Sequence, residues 1–596
     1  MEFTANIEPF TSPRAPFMGD PQLLEIARFC EEEYQESRKH PNASVLLWDH
    51  STLNPRNRVD TLTPSHFRGR WRVDGCAGMG RHFFAVPDYM RPDVPVKYIT
   101  VIIPCQSQQP HALRRGLCSS DAAFTPNSRI GDLGISRYLV DSLDLWSSAL
   151  PHFDDIYRNI PFGSAILLDN LTCSPRTARL RFAHRDEFHR QLVNLDYLKA
   201  KWKLPSSVWP PTFPVSRLCL VKQLSATVCI VQLAKAMSSK QYIFKTNLIH
   251  MSRIYHELKV HMQIHSHENI IQKPLFIIES DEFGQSAPKV LGFLLDFIPG
   301  RTLGDTLELR TPLSRPLQLN WAIQIVTALL HIRRGPSSFY SDLKPDNILV
   351  LSPNNEQLIL IDLEQGGNWD AFSAPEIMYT SWMKKLACEE DIPGRMRAEY
   401  QALMSKRLPR RTQPQELYSD PPHGYYDEWT NLEASQQESA MVFALGKVLW
   451  CIFEECSHTS NSLGEKYTQP VDIEFPAFKR TPEELRALIL QCTTGAPELE
   501  PGSIRMQRDS CRLVSLTDDG GGKAILEASP AAVLEQAGKL MNARLRRMEA
   551  HQRSWVRSLE GHCDQAALDS MQILWRPTLQ DVLEHLQEYL ESMEQN

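Results

Sequence analysis

Polar and apolar positions alternate over Gln241-Tyr242-Ile243-Phe244-Lys245, the period of a strand that ends on a lysine. Beyond it, Ile254, Leu258 and Met262 recur at i, i+4 and i+8 and share one helical face, with Glu257 at i+3 adjacent to it. Further runs predict a strand over Gln357–Ile361, a strand and turn over Gly292–Gly300, and helices over Met441–Phe453, Glu484–Cys492 and Leu579–Tyr589. Upstream, the pattern predicts an amphipathic helix over Pro21–Glu36, a strand within Lys97–Cys105, and a hairpin. That hairpin joins Ala165–Asn170 to Thr177–Ala183 over Cys173-Ser174-Pro175. Leu204–Pro214 carries four prolines, which cannot donate to a helix or sheet ladder, and reads as a linker. Strands, a helix, more strands and then a largely helical remainder make an α+β chain.

Composition narrows the classes. A chain of 596 residues is too long for one core. With 42% apolar and 23% charged residues it reads as globular, and a formal charge of −7 lacks the basic excess of a nucleic-acid binder. Met441–Phe453 is broken by Lys447 and falls short of the roughly 18–20 apolar residues of a membrane span. The first residues lack a basic start followed by an apolar run, so no secretory signal is read there. Thirteen cysteines without a CxxC pair suit reduced thiols, hence an intracellular protein, cytoplasmic or nuclear.

The densest chemistry lies in Phe339-Tyr340-Ser341-Asp342-Leu343-Lys344-Pro345-Asp346-Asn347-Ile348-Leu349. An apolar strand then delivers Asp362-Leu363-Glu364, and Ala374-Pro375-Glu376 follows. In order and spacing these segments resemble the protein kinase family. Upstream, Lys245, Glu257 and His267-Glu268-Asn269-Ile270-Ile271 resemble the family's third strand, following helix and turn into the fourth strand. Trp575-Arg576-Pro577-Thr578 resembles its last block, which implies an Arg576–Glu376 pair. The overall pattern is similar to divergent kinase-like proteins of filamentous fungi.

The resemblance implies a two-lobed protein-kinase-like fold: a small β-rich lobe over 215–298 and a large helical lobe over 299–596, with inserts at about 380–437 and 497–572. A separate mixed α/β region, 1–205, precedes it, joined by the Pro-rich linker 206–214. It implies ATP and Mg2+ as cofactors and a protein substrate phosphorylated on Ser or Thr. Phosphoryl transfer needs positioning and charge neutralisation. Asp342 would take the substrate hydroxyl's proton, with Lys344 beside the phosphate. Asn347 and Asp362 would hold magnesium, a hard cation suited to oxygen ligands. Lys245 would hold the α and β phosphates and Glu257 the lysine. Ile243 and Leu349 would pack on adenine, the backbone of Asp296 and Ile298 would hydrogen-bond it, and Leu295 would stand behind.

Departures give an alternative, a pseudokinase acting as scaffold or allosteric partner. No glycine occurs between Gly163 and Gly284, so Gln223-Leu224-Ser225-Ala226-Thr227 must make the phosphate-covering turn. Ile243 replaces a small residue, Met441 an anchoring aspartate, and Glu364 a glycine, which would add negative charge near the metal. Ser341 stands where the family has an arginine that a loop phosphate balances, so no switching by loop phosphorylation is expected. Gly75–Gly80 is expected as a loop, Lys406–Arg411 as a solvated charged loop, and Asp518–Lys523 as a flexible turn.

Overall fold

The computed structural model describes residues 69–103, 130–388, 418–459, 473–496 and 576–595 apart from short gaps within them. It adds scattered positions in 394–405 and three strands in 505–527. The helix expected over Pro21–Glu36, the segment Lys406–Arg411 and Trp575 lie outside the described residues. The architecture is mixed α and β with several separate sheets, in keeping with an α+β chain.

A five-stranded sheet comes first, in the order β1 (Trp71–Ala77), β2 (His82–Pro87), β3 (Thr100–Ile102), β4 (Ala165–Asn170), β5 (Arg179–Ala183). The expected hairpin is β4–β5, with Ala165 opposite Ala183. Gly75 is not in a loop but in β1, just past a register shift, a place where glycine suits the irregular backbone. Helices α1 (Gly134–Ala149) and α2 (Phe153–Asn159) bury Trp71, which meets Phe153 and Tyr157 edge-on and donates to Ser147 at 3.1 Å. Two short helices, α3 (Asp186–Gln191) and α4 (Leu195–Trp202), follow.

The second sheet has six strands in the order β6-β10-β11-β9-β8-β7. They are β6 (Thr212–Pro214), β7 (Leu218–Gln223), β8 (Val228–Leu233), β9 (Gln241–Lys245), β10 (Phe276–Glu279) and β11 (Val290–Asp296). Helix α5 (Met251–Gln263) connects β9 to β10 and packs on β11. The linker reading needs correction here. Thr212–Pro214 forms the edge strand β6, parallel to β10, and Trp209 stacks on Trp202 with centroids 5.2 Å apart. Prolines that cannot donate are tolerated at such an edge, where one side of the strand has no neighbour.

Nor are the described residues of the N-terminal region set apart. Leu220 N donates to Val94 O at 2.7 Å and Val290 N to Val193 O at 2.9 Å. The rings of Tyr98 and Phe162 lie against Phe244, on the face of β9 opposite Lys245. One continuous apolar core runs through both sheets and the helices beyond.

The third sheet is β12 (Gly300–Thr302), β13 (Ile348–Leu351), β14 (Leu358–Leu360). Around it stand α6 (Leu303–Glu308), α7 (Arg315–Arg334), α8 (Pro375–Cys388), α9 (Ala434–Glu454), α10 (Glu483–Cys492) and α11 (Leu579–Gln595). Helix α9 is buried almost throughout, as its apolar run predicts. Lys447 fits there because its ammonium lies 4.0 Å from the centre of the Phe475 ring. A Cβ on Gly446 would meet Cys492 Cβ at 2.6 Å, so glycine sets the close approach of α9 and α10. The fully buried Glu454 carboxylate accepts the amides of Lys479, Arg480 and Thr481. Strands β15 (Arg505–Asp509), β16 (Arg512–Asp518) and β17 (Lys523–Glu527) form a meander, so Asp518 and Lys523 are strand ends. Among the described residues no helix is long and apolar enough to cross a membrane.

Candidate active site

Strand alternation puts Ile243 and Lys245 on one face of β9 and the buried Phe244 on the other. Lys245 Nζ donates to Glu257 Oε1 at 2.6 Å and to Asp362 Oδ1 at 2.8 Å. One ammonium thus joins β9, α5 and the segment after β14. Burial works against the charge on Lys245, but Asp362 and Glu257 outweigh it and raise the pKa. Burial likewise works against ionised Glu257, yet Lys245 and His261 hold it down at about 2. The His261 imidazole is fully buried with Nε2 3.7 Å from Glu257 Oε1.

Asp362 has φ +66°, a left-handed backbone that aspartate tolerates better than most residues. Carboxylate atoms of Glu257, Asp362 and Glu364 lie within 4.8 Å of one another. Burial and the charge of Asp362 push Glu364 up to about 8. Burial and Asp362 thus both oppose the negative charge expected from Glu364.

The loop before β13 carries the second group. Lys344 Nζ lies 2.5 Å from Asp342 Oδ2. Asn347 Nδ2 donates to Asp342 O and Oδ2, both at 2.9 Å. Burial opposes the charge on Lys344, and the carboxylates of Asp342, Asp346 and Asp362 more than restore it. The loop hangs from β14: Ile361 N donates to Asn347 O at 3.0 Å, and Tyr340 Oη donates to Ile361 O. Met441, on α9, ties to the same loop, its sulfur accepting from the Tyr340 amide at 3.2 Å, though a thioether accepts weakly. Ser341 Oγ donates to Gly367 O at 3.1 Å.

Asn347 is fully buried, and its Oδ1 has no hydrogen-bond partner. An orphaned, buried amide oxygen on a side chain bonded to Asp342, in a loop bonded to the residue before Asp362, offers oxygen donors of the kind that suit a hard cation such as magnesium.

Of the residues expected around adenine, Ile243 and Asp296 lie on the neighbouring strands β9 and β11, Ile298 just beyond β11, and Leu349 on the third sheet. Ile243 pairs with Leu295, and Tyr242 with Asp296 at the end of β11. Asp296 forms an ion pair with Lys240 at 2.6 Å, and Ile298 follows two residues on. Leu349 lies on β13 between Thr302 and Ile359. Ile243, Ile298 and Leu349 are half-buried, whereas Leu295 is buried.

The turn between β7 and β8 is closed on itself. Leu224 N and Ser225 N donate to Val228 O, and Thr227 N and Val228 N to Ser225 Oγ. The N-terminal sheet clamps the strand before it: Gln223 N donates to Asp74 Oδ2 at 2.8 Å, and Arg72 Nη2 to Val221 O at 2.5 Å. Farther off, Arg576 grips Glu376 with two bonds, at 2.6 and 3.2 Å, in a buried pair.

The structure therefore gathers these residues in two bonded groups, Lys245 with Glu257 and Asp362, and Asp342 with Lys344 and Asn347, linked through the backbone of Ile361. Sequence reasoning missed Asp74, Arg72, His256 and Gln365: Asp74 and Arg72 reach Gln223 and Val221 across 149 residues and His256 reaches Gln365 across 109, with no local pattern. Compared with known proteins, no family model matches the chain and no curated protein does.

Proposed function

We propose that this chain is an ATP-dependent phosphotransferase of the protein-kinase type, a two-lobed kinase-like fold that phosphorylates Ser or Thr on proteins. The observation that carries it is the double pairing of Lys245 with Glu257 and Asp362, which also joins the six-stranded sheet to the β13–β14 region. Phosphoryl transfer asks a protein for little covalent chemistry and much placed charge. Lys245 is held charged and would meet the α and β phosphates. Asn347 Oδ1 and Asp362 would hold magnesium, which supplies charge neutralisation on the phosphates when bound. Asp342 would accept the hydroxyl's proton, its carboxylate oriented by Asn347 and Lys344. Ile243 and Leu349 would enclose adenine.

A second reading, a pseudokinase scaffold, draws on the β7–β8 turn, whose amides are spent on Ser225 and Val228 rather than open to phosphate. The two separate cleanly. Labelled phosphate should pass from Mg-ATP to mixed protein substrates and fail with Asp342→Asn. Mg-ATP at a hundredfold excess over its Kd should stabilise the fold by about 2.7 kcal/mol. No thermal shift at millimolar nucleotide, with no transfer, would leave the scaffold reading standing.

A further inference from the structure

We propose that Gln365 is a positioning residue that locks the loop before Asp342, the Asp362 segment and helix α5 into one unit, so that the site assembles without a phosphate on the loop after Asp362. The inference rests on the phosphotransferase reading and deepens its regulation.

Gln365 is 5% exposed. Its Nε2 donates to Ser337 O at 2.9 Å and to Phe339 O at 2.8 Å, the two carbonyls that lead into Tyr340-Ser341-Asp342. With both amide hydrogens given to carbonyls, its Oε1 is left as acceptor for His256 Nε2 at 2.9 Å. The His256 proton therefore sits on Nε2. His256 is the residue before Glu257, so the same side chain that fixes the loop also fixes the helix holding Lys245.

The arrangement is rigid from the outside as well. Gln365 has φ +49°, a conformation that persists where surrounding contacts over-determine it. His256 is 2% exposed, and Gly424 closes against it, with room for no Cβ: one there would meet Nε2 at 2.9 Å. One helical turn on, Lys259 pairs with Asp420 at 2.7 and 2.9 Å, and Tyr418 lies edge-on to Tyr255. Meanwhile Ser341, bonded to Gly367 O, offers no cation to a phosphate. A neutral amide does by hydrogen bonding what an arginine–phosphate pair would do by charge.

The test uses the full chain after phosphatase treatment. Gln365→Leu keeps the volume and removes all three bonds; His256→Phe removes one and stands in should Gln365→Leu fail to fold. Hydrogen exchange is read over Met251–Gln263 and 337–342, alongside kcat and KM for ATP. In the wild type, phosphatase should change neither readout. In Gln365→Leu, exchange in both segments should rise together by about tenfold. The kcat should fall by about 100-fold with a smaller change in KM, the mark of misplaced rather than unbound groups. Loosening confined to residues beside 365, or a wild type loosened by phosphatase, overturns the proposal. Exchange needs no turnover: paired loosening in a protein that transfers no phosphate keeps the lock and discards the phosphotransferase reading.

Discussion

Around Lys245, charges from three separate elements meet, Lys245 and Glu257 buried and Asp362 partly so, while at the β7–β8 turn neutral groups close on one another. The first region is stabilised only as a set, because a buried charge without its partner is costly. The second is self-sufficient: Ser225 replaces with one hydroxyl the backbone freedom a glycine turn would have, and Asp74 and Arg72 fasten its base. The contrast teaches that a charge group drawn from distant elements holds only when it is complete, whereas a turn can be closed locally by a single hydroxyl.

The hardest blow to the charged region is Lys245→Met. It leaves Glu257 and Asp362 facing each other without a cation, at a cost of about 3–5 kcal/mol in denaturant unfolding. A loss under about 1 kcal/mol, the range of surface pairs, would mean the group is wetter than described. On the other side, Asp74→Ala strips acceptors from Gln223 N and Arg72, worth about 1–3 kcal/mol. Its distinguishing readout is faster amide exchange across 223–228. An unchanged turn would show that the N-terminal sheet merely touches it.

Titration sharpens the comparison, since the charged region contains two carboxyls displaced in opposite directions. Glu257 is depressed from 4.5 to about 2, so its contribution is present above 4.5 and fades as pH falls toward 2. Glu364 is raised from 4.5 to about 8, so its contribution is present below 4.5 and is lost as pH rises through about 8. Glu364→Gln, fixed in the neutral form, should therefore gain on the order of 1 kcal/mol over the wild type near pH 8 and little near pH 4. Parallel melting curves for the two proteins across that range would place Glu364 in water.

What could be read beforehand follows the reach of local pattern. The strand ending in Lys245, the face carrying Glu257 and the buried α9 obey periods visible within a dozen residues, and each forms as expected. The Arg576–Glu376 pair spans 200 residues and was expected only from the order of motifs that resembles the protein kinases. The hold of Asp74 on Gln223, and of Gln365 on Ser337 and Phe339, has no such trace, for a single polar side chain in irregular backbone carries no period. The Pro-rich stretch misled because proline argues against a central strand and not against an edge one. Met441 shows a further limit: that its sulfur would accept from the Tyr340 amide has no signature in sequence.

The mildest test falls on Ser225, where the two regions are set against each other most directly. Ser225→Gly removes the hydroxyl that takes Thr227 N and Val228 N, and should cost about 0.5–1.5 kcal/mol for the lost bonds. The same change frees those two amides and gives the turn the backbone latitude to approach a phosphate. Mg-ATP should consequently bind more tightly to the less stable protein, an inverse relation that simple damage does not produce. Calorimetry at matched temperature reads both quantities. If affinity drops along with stability, the hydroxyl itself belongs to the nucleotide site, and the turn is a working cradle of a different make rather than a closed one.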